Sequence, residues 1–326
     1  MRRIARGSMR SVRLPVHLLP ADGRRFDVVG LGQNSLDLLV RVPTFPASNS
    51  KHPIDELIWL PGGQVASAMV GCARLGLRAC YIGKFGDDHF ADRGKASLEG
   101  EGVTLATATV AGARSRSAVI LVDARTGDRT VLWDRDRRLA EQPDDVPADV
   151  VADGRVLLVD CDDVEAATRA AQIARANGVV TVVDVEAVVP GVGELLTLID
   201  VIITSEGFPE QMTGVPGQEQ ALAALAARFN PAMVCVTLGA RGSLARVDGQ
   251  LIATPAFPVT CIDSTGAGDA FRAGFISALV ERGPDDTAAL LLQANAVAAL
   301  ACRAHGARDG LPRPAEVSAL LATAVA

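Results

Sequence analysis

Between Asp263 and Phe271 the chain reads Asp-Ser-Thr-Gly-Ala-Gly-Asp-Ala-Phe: two carboxylates, two hydroxyls and two glycines just before a helical pattern. Phe271, Phe275 and Leu279 recur every fourth residue, which predicts a helix from about Ala267 to the Gly283-Pro284 stop. Glycines at 266 and 268 leave the first-turn amides unshielded, and the positive end of such a helix suits an anion such as a phosphoryl group. Asp269 shares that turn and is placed to take a proton from an attacking hydroxyl. An ordinary carboxylate suffices, because the alcohol becomes acidic as it attacks. Taken alone, the turn fits equally well an acid that merely favours the helix dipole, with glycines for close packing.

Two common phosphate-binding patterns are missing. A dinucleotide fingerprint needs glycine where Phe271 stands, and a P-loop needs a Gly-Lys-Ser/Thr triplet that the chain lacks. Gly30-Leu-Gly32 is followed by Ser35 and a strand-like stretch rather than by a further glycine and a helix. The residues therefore argue against a dehydrogenase and a Walker-type ATPase.

The elements that must position this turn alternate along the chain. Apolar runs at 26–32, 78–83, 156–159, 179–183, 201–204 and 233–238 read as buried strands. Helical patterns at 64–75, 88–99, 164–177 and 218–229 lie between them, and the region after Gly268 is mostly helical. Such alternation predicts a mostly parallel sheet with helices on both faces. Strand-rich interruptions at about 36–60 and 103–137, with a turn at Arg125 to Asp128, are expected to form a small β lid. Ligands of such sheets bind outside the carboxyl ends of the strands. Loops 32–37, 62–67, 83–88, 160–163, 204–208, 238–242 and 263–269 converge on that edge.

Composition narrows the class. Hydrophobic residues make up 49% of the 326, enough for one large core, and no apolar run approaches the ~18 residues of a membrane span. The net charge of −6 divides into +6 over the first 25 residues and −12 over the rest. An acidic body argues against a nucleic-acid face. The arginine-rich tail, residues 1–25, is expected to be disordered. Six cysteines lie singly in apolar segments, as in a cytoplasmic protein without disulfides or zinc.

The turn does not stand alone. Asp263-Ser-Thr-Gly-Ala-Gly-Asp269-Ala-Phe resembles the D-T-x-G-A-G-D-x-F signature of the ribokinase-like (PfkB) carbohydrate kinases. Gly62-Gly63-Gln-Val-Ala-Ser-Ala, followed by Ala73-Arg-Leu-Gly76, resembles that family's second signature, G-G-x-x-x-N-x-A…A-x-L-G. Gly83-Lys-Phe-Gly-Asp-Asp88 is similar to its I-G-x-x-G-D-D element, and Val236-Thr-Leu-Gly-Ala-Arg-Gly242 to its nucleotide loop. Order and spacing agree from about residue 26 to the end.

This resemblance implies a three-layer α/β/α fold over residues 26–326 with a small β-sheet lid that often forms a homodimer interface. It implies phosphorylation of a hydroxymethyl group on a small sugar by ATP and Mg²⁺. Asp269 would be the base, and the amides of Gly266, Ala267 and Gly268 the anion hole. Asp37, Gly63 and Gln64 match sugar contacts; a carboxylate can accept two hydroxyl hydrogen bonds, and glycine allows close approach to a polyol. Thr237, Gly239 and Gly242 match the loop near ribose and phosphates. Asn295, read as opening an alanine-rich helix, aligns with a residue beside adenine; small residues there equally suit helix packing. Asp263 and Thr265, with the loop 306–310, correspond to a monovalent-cation (K⁺) site.

Departures concern the metal and the substrate. The family's N-x-x-E element is replaced by Ser205-Glu-Gly-Phe208, where Glu206 is a partial substitute as a metal-side acid. Ser67 stands where ribokinases place an asparagine on the sugar, and Gln64 where they have lysine. The stretch from Ser115 to Asp123 is nearer the ketohexokinase and sulfofructose kinase branch than ribokinase itself. Asp160 and Asp162 are either further sugar acceptors or solvated loop acids, and an acid at 162 disfavours an anionic sugar. Two alternatives remain: a nucleoside kinase on the same fold, and a non-catalytic sugar- or nucleotide-binding protein.

Overall fold

The computed structural model describes residues 11–126 and 128–323. Its first half contains β1 (Val28–Leu31), β2 (Ser35–Val42), β3 (Glu56–Gly62), α1 (Gln64–Arg74), β4 (Ala79–Phe85), α2 (His89–Glu99), β5 (Thr104–Thr109), β6 (Ser117–Asp123), β7 (Arg129–Asp134), α3 (Ala148–Ala152), β8 (Val156–Val159) and α4 (Val164–Ala176). Its second half contains β9 (Val180–Val185), α5 (Val192–Leu196), β10 (Val201–Thr204), α6 (Phe208–Thr213), α7 (Gln218–Phe229), β11 (Met233–Thr237), β12 (Ser243–Val247), β13 (Gln250–Thr254), α8 (Ala267–Arg282), α9 (Thr287–Ala301), α10 (Gly306–Asp309) and α11 (Pro314–Thr323).

Nine strands form the large sheet in the order β13-β12-β11-β10-β9-β8-β1-β4-β5. Pairings from β5 to β11 are parallel, and the β11-β12-β13 edge is antiparallel. Successive strand residues point to opposite faces, so β1 sends Val28 into one apolar core and Val29 and Leu31 into another. The first core holds α1, α2, α8 and α9, and the second holds α4, α5 and α7. This is the expected three-layer α/β/α architecture.

The lid is smaller than the sequence suggests. Its four strands run β3-β2-β6-β7, with β2 and β6 parallel and the other pairs antiparallel. β5, placed in the lid by its position in a strand-rich block, instead extends the large sheet, pairing Cys80 with Thr104 through Phe85 with Thr109. Its strand pattern could not reveal which sheet edge would receive it.

The expectation of disorder before residue 26 is corrected for residues 11–25; residues 1–10 lie outside the described part. Residues 11–25 form no helix or strand, yet Leu14 is fully buried, and Val12, Val16 and Leu18 pack on the first core. Leu14 N–H donates to the Pro284 carbonyl at 2.8 Å, and Thr287 N–H to the Val12 carbonyl at 2.9 Å. The short apolar run inside the basic tail supplies this anchorage, because burying a leucine side chain is worth ~2 kcal/mol.

Candidate active site

α8 begins where the glycine spacing places it. Gly266 caps the helix at φ +74°, a left-handed conformation natural to glycine, and Gly283 ends it. A β-carbon at Gly266 would also press on the backbone of Ala307, so the turn sits directly against α10. Ala270 N–H is the first helical donor, to Gly266 carbonyl at 2.9 Å, so residues 267–269 have no acceptor within the helix. The Ala267 amide donates to the Ser264 carbonyl at 3.2 Å. Asp269 is 8% exposed, and burial raises its pKa well above the carboxylate range; Asp184 and Glu186 add to that shift, while Arg272 and Arg308 oppose it.

A cavity of about 490 Å³ opens beside this turn. Thr237, Gly239, Gly242 and Asn295 all line it, as do Ala267 and Gly268. Gly242 has φ +88°, and a side chain there would strike the backbone at Thr254 and Ala256. Asn295 lies in the middle of α9 rather than at its start, a correction to the sequence reading. Its Nδ2 donates to Ser243 Oγ and Thr254 Oγ1, both at 3.0 Å. The wall also includes Ala298, Ala299 and Cys302, so the cavity is largely apolar and reaches Ala267 and Gly268 at the helix's positive end. That volume and polarity fit a nucleoside triphosphate with its phosphates toward α8.

The lid side of the turn carries the second set of residues. Asp37, on β2, has its Oδ2 against Ser35 Oγ at 3.3 Å, while Oδ1 is buried with no hydrogen-bond partner of normal geometry. Burial raises the Asp37 pKa, and Ser35, the Ala118 amide and Arg308 counteract it. Gly63, at φ +89°, touches the backbone of Asn34 so closely that no side chain fits, and Gln64 opens α1 half-buried.

Arg308, unrecognised in the sequence, joins these parts. Its Nη2 donates to Gly62 carbonyl at 2.7 Å, Nη1 to Ser97 Oγ at 3.0 Å and Nε to Ser67 Oγ at 3.2 Å. Ser67 is fully buried, so it bears on the lid side through this arginine. Arg308 opposes the burial-driven rise in pKa of both Asp37 and Asp269.

Asp160 and Asp162 are not solvated loop acids. Asp160 is 1% exposed, accepts from the Gln33 amide at 2.7 Å and the Asp162 amide at 3.1 Å, and is pushed up to about 6 by burial. Asp162 pairs with Arg116 at 3.4 Å and with Arg135 from the segment after β7. Two cations therefore offset its charge.

The metal-side residues are differently disposed. Glu206 is half-exposed and paired with Arg241 of the nucleotide loop. Phe208, at the last position of the departed N-x-x-E element, is fully buried. Asp263 accepts from the Thr265 amide through Oδ1 and from the Gly306 amide through Oδ2, each at 2.9 Å. Among the described residues, no cluster of three or more acids, histidines or cysteines could hold a metal ion. Mg²⁺ commonly binds through substrate phosphates and few carboxylates, which suits such a site.

Residues 28–314 match the pfkB family carbohydrate kinases. The chain belongs to this family. A fructokinase of Klebsiella pneumoniae is 34% identical over 282 residues, covering 79% of this chain and 90% of that protein. A ribokinase of Haemophilus influenzae is 30% identical over 289 residues, 86% of this chain and 94% of its own. The structure of Arabidopsis thaliana ribokinase complexed with ribose and ATP superposes with a TM-score of 0.80 at 25% identity, covering 91% of this chain and 98% of that one. This pfkB chain is accordingly an ATP-dependent sugar kinase, a phosphotransferase with an alcohol acceptor. No helix among the described residues is long and apolar enough to cross a membrane.

Proposed function

We propose that the chain transfers the γ-phosphoryl group of ATP to a hydroxymethyl group of a small neutral sugar of the fructose or ribose type. The observation that carries this reading is the first turn of α8. Its Ala267 and Gly268 line the nucleotide-sized cavity, the buried Asp269 follows on the same turn, and Arg308 acts on the charges of both Asp269 and Asp37. Asp269 takes the hydroxyl proton as the oxygen attacks, and the amides of Gly266, Ala267 and Gly268 hold the transferring group. Asp37, whose buried Oδ1 has no hydrogen-bond partner, accepts a sugar hydroxyl, assisted by Gly63 and Gln64. Ser67 and Asp162 shape the pocket, Ser67 through Arg308 and Asp162 through its arginines. Thr237, Gly239, Gly242 and Asn295 receive the nucleotide.

Mg²⁺ enters with ATP and neutralises phosphate charge, with Glu206 the nearby acid that replaces the usual element. A monovalent cation such as K⁺, held by the loops of Asp263, Thr265 and 306–310, would offset the charge gathered at the turn. The lid's exposed Leu57 and Leu132, which share the face opposite that of Asp37, support a homodimer through that sheet.

The test is ADP release over a panel of ketohexoses, furanoses and nucleosides, with and without potassium. Turnover with a sugar is expected, and Asp269→Asn should lower kcat roughly 10²- to 10⁴-fold with ATP affinity kept. Preference for a nucleoside would favour the relation to the nucleoside kinase of Methanothermobacter thermautotrophicus, 24% identical over 306 residues. Thermal stabilisation by a sugar without any turnover would instead mark a binding protein.

A further inference from the structure

Beneath the anion turn lies a buried ion pair that the proposed reaction leaves unexplained. Arg272 follows Asp269 by three residues on α8, so the two side chains share a helix face. Arg272 is 2% exposed and Asp184, on β9, is 3% exposed. Nη2 of Arg272 donates to Asp184 Oδ1 and reaches the Ile203 carbonyl at 3.5 Å. Nη1 fills the space that a β-carbon on Gly268 would need, and Nε is buried without a partner. Apolar residues of similar volume often serve packing as well as a buried ion pair does. A guanidinium set against the reacting turn with a donor unused therefore calls for an electrostatic role.

We propose that Arg272 is a positioning residue for phosphoryl transfer: its charge, fixed against Gly268 by Asp184, holds the Asp269 carboxylate in the form that accepts the hydroxyl proton. This inference rests on the reading of Asp269 as the base. Burial is the largest influence on Asp269 and favours its protonated form; Asp184 and Glu186 reinforce it, whereas Arg272 and Arg308 oppose it. Asp184 is itself pushed up by burial and restrained by Arg272, with Glu186 and Asp160 pressing the other way. The charged groups that act on Asp184 and Asp269 are thus Arg272 on α8, Glu186 just after β9, Asp160 after β8 and Arg308 on α10, besides the two carboxylates on each other.

The experiment is the pH dependence of kcat/KM for the sugar, whose acidic limb reports ionisation of the base. Loss of a nearby cation raises a carboxylate's pKa, so Arg272→Met should move the limb upward by about one pH unit or more. Arg272→Lys should return it most of the way. Asp184→Asn should move it downward, because a negative neighbour is lost while the guanidinium stays. A merely structural pair would instead lose activity in both single variants with the limb unmoved, and that result overturns the proposal.

Breaking one side of a buried pair is strongly destabilising, so Asp184→Leu combined with Arg272→Met provides a reference without an unpaired charge. Its limb should fall between those of the single variants; a limb at or beyond either one overturns the proposal. Near-normal turnover in Asp269→Asn would remove the base reading itself. Loss of turnover there, with an unmoved limb in Arg272→Met, removes this inference alone.

Discussion

Arg308 Nη2 donates to the carbonyl of Gly62 at 2.7 Å, joining α10 to the end of the lid strand that leads into α1. The same guanidinium satisfies Ser67 and Ser97, and burial brings its pKa down only to about 10, so it remains charged at neutral pH. Removing it leaves a buried carbonyl and two hydroxyls without their donor, at ~1–3 kcal/mol per group. Arg308→Met should lower the melting temperature and raise KM for the sugar more than KM for ATP. Equal changes in both KM values would show that Arg308 supports the fold without favouring the lid side.

Asp37 offers a sharper separation of binding from chemistry. Its Oδ1 is buried without a hydrogen-bond partner, so a sugar hydroxyl admitted beside it gains a charge-assisted hydrogen bond, worth about 1.5–3 kcal/mol. Asp37→Asn should therefore raise the sugar's KM about tenfold to 100-fold, while the variant folds normally, because it also relieves a desolvated carboxylate. Steady-state kinetics at saturating ATP decide it. An unchanged sugar KM would remove Asp37 from the sugar contacts.

Much of this site was legible because its residues are local in sequence. Gly266, Gly268 and Asp269 specify a helix start and an anion turn within a few positions, and the chain folds there as that spacing predicts. What stayed hidden depends on partners far along the chain. Arg308 and Gly62 are 246 residues apart, and Arg272 and Asp184 are 88 apart. Arg272 reads as one more charge on a helix until β9 supplies its acid. The same limit explains β5: its residues specify a strand, but the edge of β4 decides its sheet. The basic start reads as disordered because its arginines outnumber the short apolar run that buries Leu14.

The lid's outward residues make the assembly testable. Leu132 pairs across the sheet with Val119 and is 58% exposed, and Leu57, on the same face of the lid, is 55% exposed. Apolar surface of this kind is covered in a homodimer, where a charge would be desolvated at high cost. Leu132→Lys and Leu57→Lys should each shift the protein to monomer in sedimentation velocity, without lowering its melting temperature below that of the monomer. Wild-type protein that sediments as a monomer at all concentrations would dispose of the lid dimer.

Asp27, at the threshold of β1, governs stability in acid. It accepts from the Arg78 amide and Nε at 3.0 Å, from Arg78 Nη2 at 2.9 Å and from Arg155 Nη1 at 3.1 Å. Arg78's hydrogen bonds dominate and hold its pKa at about 2. A depressed carboxylate contributes its stability above its unfolded pKa of ~3.9 and loses it as pH falls toward the folded value. Asp27→Asn should thus cost ~2 kcal/mol at pH 7, with the difference from wild type shrinking below pH 4 and vanishing near pH 2. Arg155 also donates to the Leu19 carbonyl at 2.7 Å, so the variant should speed amide exchange along residues 11–25. Denaturant unfolding across that pH range checks the first effect and hydrogen exchange the second. A stability loss that persists undiminished at pH 2 would mean that Asp27 acts through packing and not through its charge.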